Sequence, residues 1–401
     1  MPITDEQIAI VKSTVPILKT GGEALTTHFY KLMFREYPEV RALFNQTHQS
    51  SGTQPRALAN SVLAYAENID ALQNLGPVAA QIVNKHVALQ VMPEHYPIVG
   101  TCLIRAIREV LGEETATQAV LDAWAAAYGQ LADILIGAEA KVYKEVEEAP
   151  GGWAGARKFV VAKKVTESDE ITSFYLEPAD GKEVIRHQPG QYIGLQLFAG
   201  TPEEARRNYS LSQAADGKTL RISVKRHEGG VVSMHLHDKV NVGDSLNVFP
   251  PSGHFVLKKA ERPIVLVSGG VGITPTLAML QSLSASAAGD DSVPEVRFVH
   301  FARTPNVHAF AKDVEELTKA SPNFSHHFIY TAGSASSPRP EGDYTFAKFD
   351  QWLVGPSGTD VDVYLLGPSN FMRSMRKGLL AKGVPASQIS FEFFGPAEAM
   401  E

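Results

Sequence analysis

The chain has 401 residues, too many for one ordinary hydrophobic core, so we expect two or three domains. Its formal net charge of -7 excludes the basic surface that nucleic-acid binding requires, and its hydrophobic content of 44% is typical of a soluble globular protein. Cys102 is the single cysteine, which excludes an intramolecular disulfide framework and a cysteine metal cluster.

The signals of a membrane or secreted protein are not visible in the sequence. Its longest apolar runs, such as PIVLV and VYLLG, are far shorter than a bilayer span. The first residues, MPITDEQIAIVKSTV, carry no charged region followed by an apolar stretch, so we expect no secretory signal. These features predict a cytoplasmic protein with no integral membrane association and no nucleic-acid partner.

Helical spacing of apolar residues dominates residues 5–148 and predicts an all-helical bundle of six or seven helices. The first helix is expected to contain Ile8 and Leu18 and to stop at Gly21 and Gly22. The stretch EEAPGGWAG then breaks the pattern with proline and glycine, which predicts a domain boundary. We assign residues 1–147 to this all-α domain.

Two domains of other classes are expected beyond the boundary. Short runs of alternating polarity, such as ITSFYLEP and LRISVKR, are separated by turn residues and predict an antiparallel β-barrel at residues 152–260. From residue 262, apolar strands alternate with helical stretches, which predicts an α/β domain with a parallel sheet at residues 262–401. The expected fold is therefore multidomain, combining all-α, antiparallel β and α/β parts.

A glycine turn between a strand and a helix, IVLVSGGVGITPTLAML, predicts a nucleotide site in the last domain. Gly270 and Gly272 let the backbone approach a pyrophosphate, and Thr274 and Pro275 are expected as N-cap and first-turn proline of the helix. The spacing is not GxGxxG, and the stretch alone is equally consistent with a tight turn. A second turn, at Gly367, ends another strand of the same sheet and favours a dinucleotide.

The tetrapeptide RNYS in the barrel domain has the character of a flavin site. Arg207 and Tyr209 fall on one face of a predicted strand, so a guanidinium can reach a phosphate and a ring can stack on a flat heterocycle. A half-buried strand with one surface arginine explains the tetrapeptide equally well. The nearby stretches PGQY and KRHEGGVVS favour the binding interpretation, with Ser233 as a further donor.

Five motifs then carry a family resemblance. PGQY, RNYS, GGVGITP, LLGPSNFM and FEFFGP occur in this order between residues 189 and 396 and together resemble the ferredoxin–NADP⁺ reductase superfamily. The resemblance implies FAD in the barrel domain and NADH or NADPH in the α/β domain. It implies flavin contacts at Tyr192, Arg207, Asn208, Tyr209, Ser210, Phe393, Phe394, Gly395 and Pro396. It implies nicotinamide nucleotide contacts at Gly270, Val271, Gly272, Ile273, Thr274 and Pro275.

The all-α domain is the candidate electron acceptor, and two of its histidines differ in their surroundings. His86 lies inside an apolar helical stretch, whereas His95 follows a proline at a helix start, where exposure is expected. With thirteen histidines in the chain, either residue alone is a weak signal. An ordinary helical core with a few satisfied tyrosines is the alternative to a haem pocket.

Four further residues suit a haem pocket. Tyr30 lies among apolar and aromatic neighbours, and Phe44 directly precedes a polar corner. Gln54 and Leu58 are one turn apart on the following helix, so both can face one pocket.

The all-α domain resembles a globin. Because the reductase motifs follow it in the sequence, the whole chain resembles the bacterial flavohaemoglobins. VNKHVALQV, PEHYPIVG, LDAWAAAYGQLAD and PGGWAG carry this resemblance. It implies that His86 ligates the iron of haem b and that Tyr96 and Glu139 form a hydrogen-bonded relay behind it. The other roles that it implies are distal-pocket contacts for Tyr30, Gln54, Leu58 and Phe44, and redox tuning for Lys85 and Glu392. Phe393 departs from relatives that have cysteine there.

The activity implied by this resemblance is that of an NAD(P)H-dependent nitric oxide dioxygenase. NAD(P)H would reduce FAD, FAD would pass single electrons to haem b, and oxygen bound there would convert nitric oxide to nitrate. A reductase of organic or lipid hydroperoxides, a diaphorase, and a gas sensor or oxygen store are the alternatives. A lipid or other hydrophobic ligand in the distal haem pocket is also expected. The resemblance favours NADH, although Arg303 could bind a 2′-phosphate.

Overall fold

A computed structural model of the chain describes residues 3–45, 48–49, 51–287, 294–332, 350–355 and 358–395. In this part of the chain, the residues before 150 form six α-helices: α1 (Asp5–Ser13), α2 (Val15–Glu36), α3 (Thr53–Glu67), α4 (Gly76–Leu89), α5 (His95–Leu111) and α6 (Gln118–Glu148). Two short 3-10 helices, Pro38–Leu43 and Leu72–Leu75, precede α3 and α4. The predicted all-α class of this region is confirmed.

Helix α2 continues through the glycine pair that was expected to end the first helix, so that prediction is wrong. The break lies earlier, at Thr14, where α1 ends, and Pro16 occupies the first turn of α2. Gly22 is buried, and a Cβ there would lie 3.4 Å from the Cβ of Ala59 on α3. A helical glycine costs about 1 kcal/mol, and burial of Leu25 on the same helix outweighs that cost.

Helix α6 is the longest helix of the all-α domain. By length and composition alone, it is the one helix among the described residues that could cross a membrane. It packs against α1, α4 and α5, and its buried residues include Trp124 and Glu139. These contacts make it a core helix of this domain.

The second domain is a barrel of six antiparallel strands: β1 (Arg157–Thr166), β2 (Ile171–Pro178), β3 (Tyr192–Leu197), β4 (Ala205–Ser210), β5 (Leu220–Lys225) and β6 (Ser245–Val248). Their order is β4-β3-β6-β1-β2-β5, and a bridge between Leu211 and Ile222 joins the outer strands and closes the barrel. The predicted antiparallel barrel is confirmed. Helix α7 (Val231–Asp238) follows β5 and was not predicted, because GGVVS was interpreted only as a turn.

The third domain contains a parallel sheet of β7 (Ile264–Gly269), β8 (Val296–Ala302), β9 (Phe324–Tyr330), β10 (Asp362–Leu366) and β11 (Ile389–Phe391), in the order β11-β10-β7-β8-β9. Its described helices are α8 (Ile273–Ala287), α9 (Ala311–Leu317), α10 (Asp350–Leu353) and α11 (Ser369–Ala381). The predicted α/β class is confirmed. Since β7 and β10 are neighbours, the two glycine turns that follow them meet at one edge of the sheet.

The backbone of helix α4 is in close contact with strand β3 of the barrel domain. A Cβ at Gly194 of β3 would lie 2.3 Å from the carbonyl oxygen of Ala88, so only glycine fits this approach. The side-chain oxygen of Asn84 accepts a hydrogen bond of 3.1 Å from the backbone N–H of Gly253. Helix α4 is therefore fixed to the barrel at two positions, Asn84 and Ala88, that lie one turn apart.

Candidate active site

Three helices bring His86, Tyr96 and Glu139 into hydrogen-bond distance. The Nδ1 atom of His86 lies 2.7 Å from Oε1 of Glu139, and the Tyr96 hydroxyl donates to the same oxygen at 2.6 Å. The Tyr96 hydroxyl is also 3.3 Å from Nδ1 of His86. Because the carboxylate occupies Nδ1, Nε2 is the ring nitrogen left for a metal.

Burial determines how this group of three can act. Glu139 is 2% exposed, and its second oxygen, Oε2, has no hydrogen-bond partner in the described part of the chain. Burial, together with the hydrogen bond to Glu139, raises the pKa of Tyr96 far above its ordinary value. Tyr96 therefore remains a proton donor, and it orients the carboxylate that holds the imidazole.

His95 lies nine residues after His86 and has a different role. Its Nδ1 accepts a hydrogen bond of 2.9 Å from the backbone N–H of Met92, which fixes the turn before α5. The residue is half-buried, so our expectation that it faces solvent is wrong, and burial lowers its pKa. The histidine is a local structural residue of the turn.

Tyr30 lies in contact with Gln54 and Phe44, the two residues that the resemblance assigned with it to a distal pocket. Tyr30 is 5% exposed, and its hydroxyl accepts a hydrogen bond of 3.3 Å from the side-chain amide of Gln54. The ring centroids of Tyr30 and Phe44 are 5.5 Å apart in an edge-to-face arrangement. Burial raises the pKa of Tyr30 to about 12, so its hydroxyl keeps its proton at neutral pH. Leu58 is partly buried and packs against the same core.

The flavin candidates line up along β3 and β4. Tyr192 is buried, and its hydroxyl has no hydrogen-bond partner among the described residues. Its pKa is raised by burial, as is that of Tyr209. Arg207 donates from Nη1 to the backbone carbonyl of Arg206 at 2.7 Å. Asn208 is exposed, whereas Ser210 is buried at the end of β4.

The C-terminal segment after β11 supplies the other flavin candidates. The ring of Phe394 is 46% exposed, whereas Phe393 is buried and packs edge-to-face with Phe391 at 6.0 Å. Pro396 lies outside the described residues. Ser233, the further donor expected in this domain, has its hydroxyl 3.3 Å from the backbone N–H of His227, in a local turn.

Lys85 connects the all-α domain to this C-terminal segment. Its ammonium group donates to the backbone carbonyl of Gly395 at 2.5 Å. Burial lowers the pKa of Lys85, and the charge of Glu392 opposes that effect. Glu392 is 4% exposed, and burial raises its pKa to about 7, against the opposing charge of Lys85. Lys85, which directly precedes His86 on α4, is thus coupled to the segment that carries Phe394.

A cleft contains both glycine turns of the α/β domain. It is lined by Gly269, Gly270, Val271 and Gly272, by Gly367, Pro368 and Ser369, by Phe393, Phe394 and Gly395, by Lys225, and by His48, Ser51 and Thr53 of the all-α domain. A Cβ at Gly272 would lie 2.3 Å from the carbonyl oxygen of Leu366, so the close approach of the two turns requires glycine. Three of the six predicted nucleotide residues, Gly270, Val271 and Gly272, therefore share one cleft with the exposed Phe394 ring.

The start of α8 differs from its prediction. Thr274 lies inside the first turn, and its hydroxyl donates to the carbonyl of Val271 at 3.0 Å, so the predicted N-cap role is wrong. Ile273, Thr274 and Pro275 are all buried. At these three positions the helix terminus, rather than a side chain, is what a bound anion could contact.

Three residues at domain contacts were missed by sequence reasoning. Asn84 and Arg206 join α4 to the barrel, and Glu170 joins the barrel to Arg303 of the α/β domain. The sequence offered a signal for Arg206, because this arginine stands directly before the arginine of RNYS. The other two had none, because their partners depend on how the domains dock.

Comparisons with known proteins agree with this arrangement. Three family models match the chain in order: a globin over residues 27–135, an oxidoreductase FAD-binding domain over residues 158–257 and an oxidoreductase NAD-binding domain over residues 266–377. A solved flavohemoglobin from Malassezia yamatoensis, with bound FAD and heme, is 25% identical and superposes with a TM-score of 0.84, covering 98% of this chain and 100% of its own.

Two further proteins are more similar to the chain in sequence. The FAD/NAD-binding domain of a nitric oxide dioxygenase from Vibrio cholerae is 37% identical, with a TM-score of 0.52, over 60% of this chain and 100% of its own. A flavohemoprotein from Pseudomonas aeruginosa is 55% identical over 400 residues, which cover 100% of both chains. The chain therefore belongs to the flavohemoprotein family.

Proposed function

We propose that this protein is an NAD(P)H-dependent nitric oxide dioxygenase that uses haem b and FAD and converts nitric oxide to nitrate. The observation that carries the proposal is the contact between His86 and the buried carboxylate of Glu139. When bound, FAD accepts a hydride and releases its electrons one at a time, and haem iron binds dioxygen. The domain order matches the path from nicotinamide to oxygen.

The residues present fit both haem and FAD. His86 offers a free Nε2 on an imidazole whose Nδ1 is fixed by Glu139, which is the usual arrangement of a metal-ligating histidine. For FAD, Tyr192 and Glu392 present buried polar oxygens without hydrogen-bond partners among the described residues. Phe394 presents a half-exposed ring to the cleft. These features support haem held by His86 and flavin held between Tyr192, Arg207, Tyr209 and the segment around Phe394.

Two residues of the chain favour oxygen activation over reversible storage. A carboxylate on the far side of a ligating imidazole makes that imidazole a stronger electron donor than a backbone carbonyl would. Glu139 is such a carboxylate. Tyr30 is a buried donor held by Gln54, suited to stabilise negative charge that develops on oxygen.

Nitric oxide consumption tests this function directly. The haem- and FAD-loaded chain is supplied with NADH in aerobic buffer, and nitric oxide is followed with an electrode while nitrate is measured. We expect consumption that requires NADH and yields nitrate. Consumption no faster than in buffer alone would contradict the proposal. NADH oxidation driven by an organic hydroperoxide instead would favour the peroxide reductase, and reversible oxygen binding without turnover would favour a sensor or store.

We propose NADH as the preferred coenzyme, on the evidence of one ion-pair cluster. Arg303 follows β8, the strand beside β7 and its glycine turn, where a doubly wound fold recognises the ribose 2′ group. Its guanidinium forms an ion pair with Glu170 of the barrel domain. Glu170 also pairs with Lys225 at 3.1 Å. A 2′-phosphate would therefore have to displace a carboxylate to reach Arg303.

Replacing Glu170→Gln should increase the use of NADPH. Without the carboxylate, Arg303 is free for a 2′-phosphate, and we expect kcat/KM for NADPH to rise about tenfold, equivalent to ~1.4 kcal/mol. The value for NADH should stay nearly constant. Glu177→Gln, an exposed carboxylate of the same β2 region, is the matched control. Equal changes for both coenzymes would contradict a role of Glu170 in selectivity.

Two further proposals concern the location of the protein in the cell and a second ligand. We propose a cytoplasmic location, supported by the buried free thiol of Cys102 and by the requirement for nicotinamide coenzyme. The apolar groups around Tyr30, which include Phe34, Phe44 and Leu58, support a lipid or other hydrophobic ligand in the distal pocket.

A further inference from the structure

The C-terminal end of α4, the helix that carries His86, leaves carbonyl groups without intrahelical partners. Gln90 follows the helix in the left-handed region, with φ of 56°. Backbone N–H groups of Gln90 and Val91 donate back to the carbonyls of Val87 and His86, at 3.0 and 2.9 Å. The carbonyls of Leu89 and Gln90 come after these bonds, and a helix end needs donors for such groups.

Arg206 of the barrel domain supplies those donors. Its Nη1 lies 2.7 Å from the carbonyl oxygen of Leu89 and 3.4 Å from that of Gln90. A cation at this end of a helix also interacts favourably with the helix dipole. The contact therefore combines hydrogen bonding with charge, and both partners are half-buried or buried.

The guanidinium of Arg206 is held in place from its own domain. Glu204 lies 3.4 Å from its Nη2, and the ring centroid of Phe249 lies 5.3 Å from its central carbon. Glu204 is itself fixed by the side-chain amide of Gln196 at 2.8 Å and by the backbone N–H of Gly200 at 3.0 Å. Arg206 thus reaches α4 from a preorganised position.

We propose that the Arg206 side chain caps the C-terminal end of α4 and that Arg206 is a positioning residue, which sets the helix of His86 against the strand that carries the flavin residues. The carbonyl of Arg206 accepts a hydrogen bond from Arg207, a proposed flavin contact, so neighbouring residues serve the helix and the flavin site. The backbones of Gly194 and Ala88 are in such close contact that a Cβ at Gly194 would lie 2.3 Å from the Ala88 carbonyl oxygen. This contact restricts the position of α4 relative to the barrel. The kinetic part of this inference rests on the proposed function, since it concerns electron transfer between these domains.

Hydrogen exchange tests the cap without using activity. In the full-length, cofactor-loaded protein, Arg206→Ala should accelerate amide exchange about tenfold over residues 86–92, because the helix end loses its external donors. Arg206→Lys should restore part of the protection, since an ammonium can reach a carbonyl and keeps the charge. Arg226→Ala is the matched control, because Arg226 pairs with Asp238 of its own domain. Unchanged exchange in Arg206→Ala would overturn the proposal.

Anaerobic stopped-flow with NADH separates positioning from general damage. We expect Arg206→Ala to leave flavin bleaching unchanged and to slow the following change in haem absorbance about tenfold, with partial rescue by Arg206→Lys. Faster exchange with unchanged haem reduction, or equal slowing of both phases, would overturn the positioning role. If the parent protein shows no haem reduction by NADH, the proposed function fails, while the exchange experiment still decides whether Arg206 caps α4.

Discussion

His86→Ala should yield a protein that retains flavin and loses most of its haem. Nδ1 of His86 is bound by Glu139, so Nε2 is the nitrogen available to iron, and alanine removes it. Loss of an outer-shell partner alone lowers metal affinity about 10- to 100-fold, and loss of the ligand itself should cost more. The flavin residues lie in another domain, so their site should remain. The haem-to-flavin absorbance ratio of the purified protein measures this result.

His95→Ala is the matched control for that experiment. This residue is a half-buried histidine of the neighbouring turn, and its contact is with the backbone of Met92. We expect normal haem content in His95→Ala, with only a small loss of stability. Imidazole added to His86→Ala should fill the cavity and restore part of the haem spectrum. Full haem content and an unchanged spectrum in His86→Ala would show that another residue binds the iron.

The sequence predicted the three domain classes because each has its own periodicity. The strands β2 and β5 lie within one residue of the predicted runs ITSFYLEP and LRISVKR, because turn residues bound these runs. The predicted alternation is wrong for both strands, since almost all of their side chains are buried or half-buried. Other elements were missed where local patterns mislead. Gly21 and Gly22 signal a helix stop, yet the packing of α2 on α3 overrides that signal. Helix α7 and strand β11 are too short to show a period.

The site was predictable only in part, for a physical reason. Glu139 stands 43 residues after Tyr96, and only the family resemblance connected it with Tyr96 and His86. The structure brings the three within hydrogen-bond distance. Asn84 and Glu170 escaped prediction because their partners belong to other domains. A contact between two domains produces no periodic pattern in the sequence of either domain, so sequence periodicity cannot predict it.

Helix α4 explains why these missed contacts matter. One of its faces directs His86 towards Glu139 within the all-α domain. Its other face meets the barrel through Asn84 and the C-terminal segment through Lys85. The helix therefore carries the proposed iron ligand and, one and two residues before it, the side chains that hydrogen-bond to the barrel and to the C-terminal segment. Changes at its ends should affect electron transfer before they affect either cofactor site.

Tyr30→Phe should release oxygen much faster while leaving the cofactors in place. The Tyr30 hydroxyl is a buried donor fixed by Gln54, and its pKa of about 12 keeps it protonated across the neutral range. Removal of one preorganised donor of this kind typically costs about 100-fold or more. We therefore expect the oxygen dissociation rate of the reduced protein to rise about 100-fold, without a pH dependence of its own near neutrality. Flash photolysis or oxygen displacement measures that rate.

Tyr65→Phe distinguishes this effect from the simple loss of a buried hydroxyl. Tyr65 is equally buried, at 4% exposure, and burial also raises its pKa to about 12. Its hydroxyl donates to the backbone carbonyl of Ala127 at 2.8 Å, away from Gln54. Both variants should lose about 1 kcal/mol of stability from a missing hydrogen bond, but only Tyr30→Phe should change oxygen dissociation. Equal dissociation rates in the two variants would mean that Tyr30 supports the fold of the pocket and does not contact oxygen.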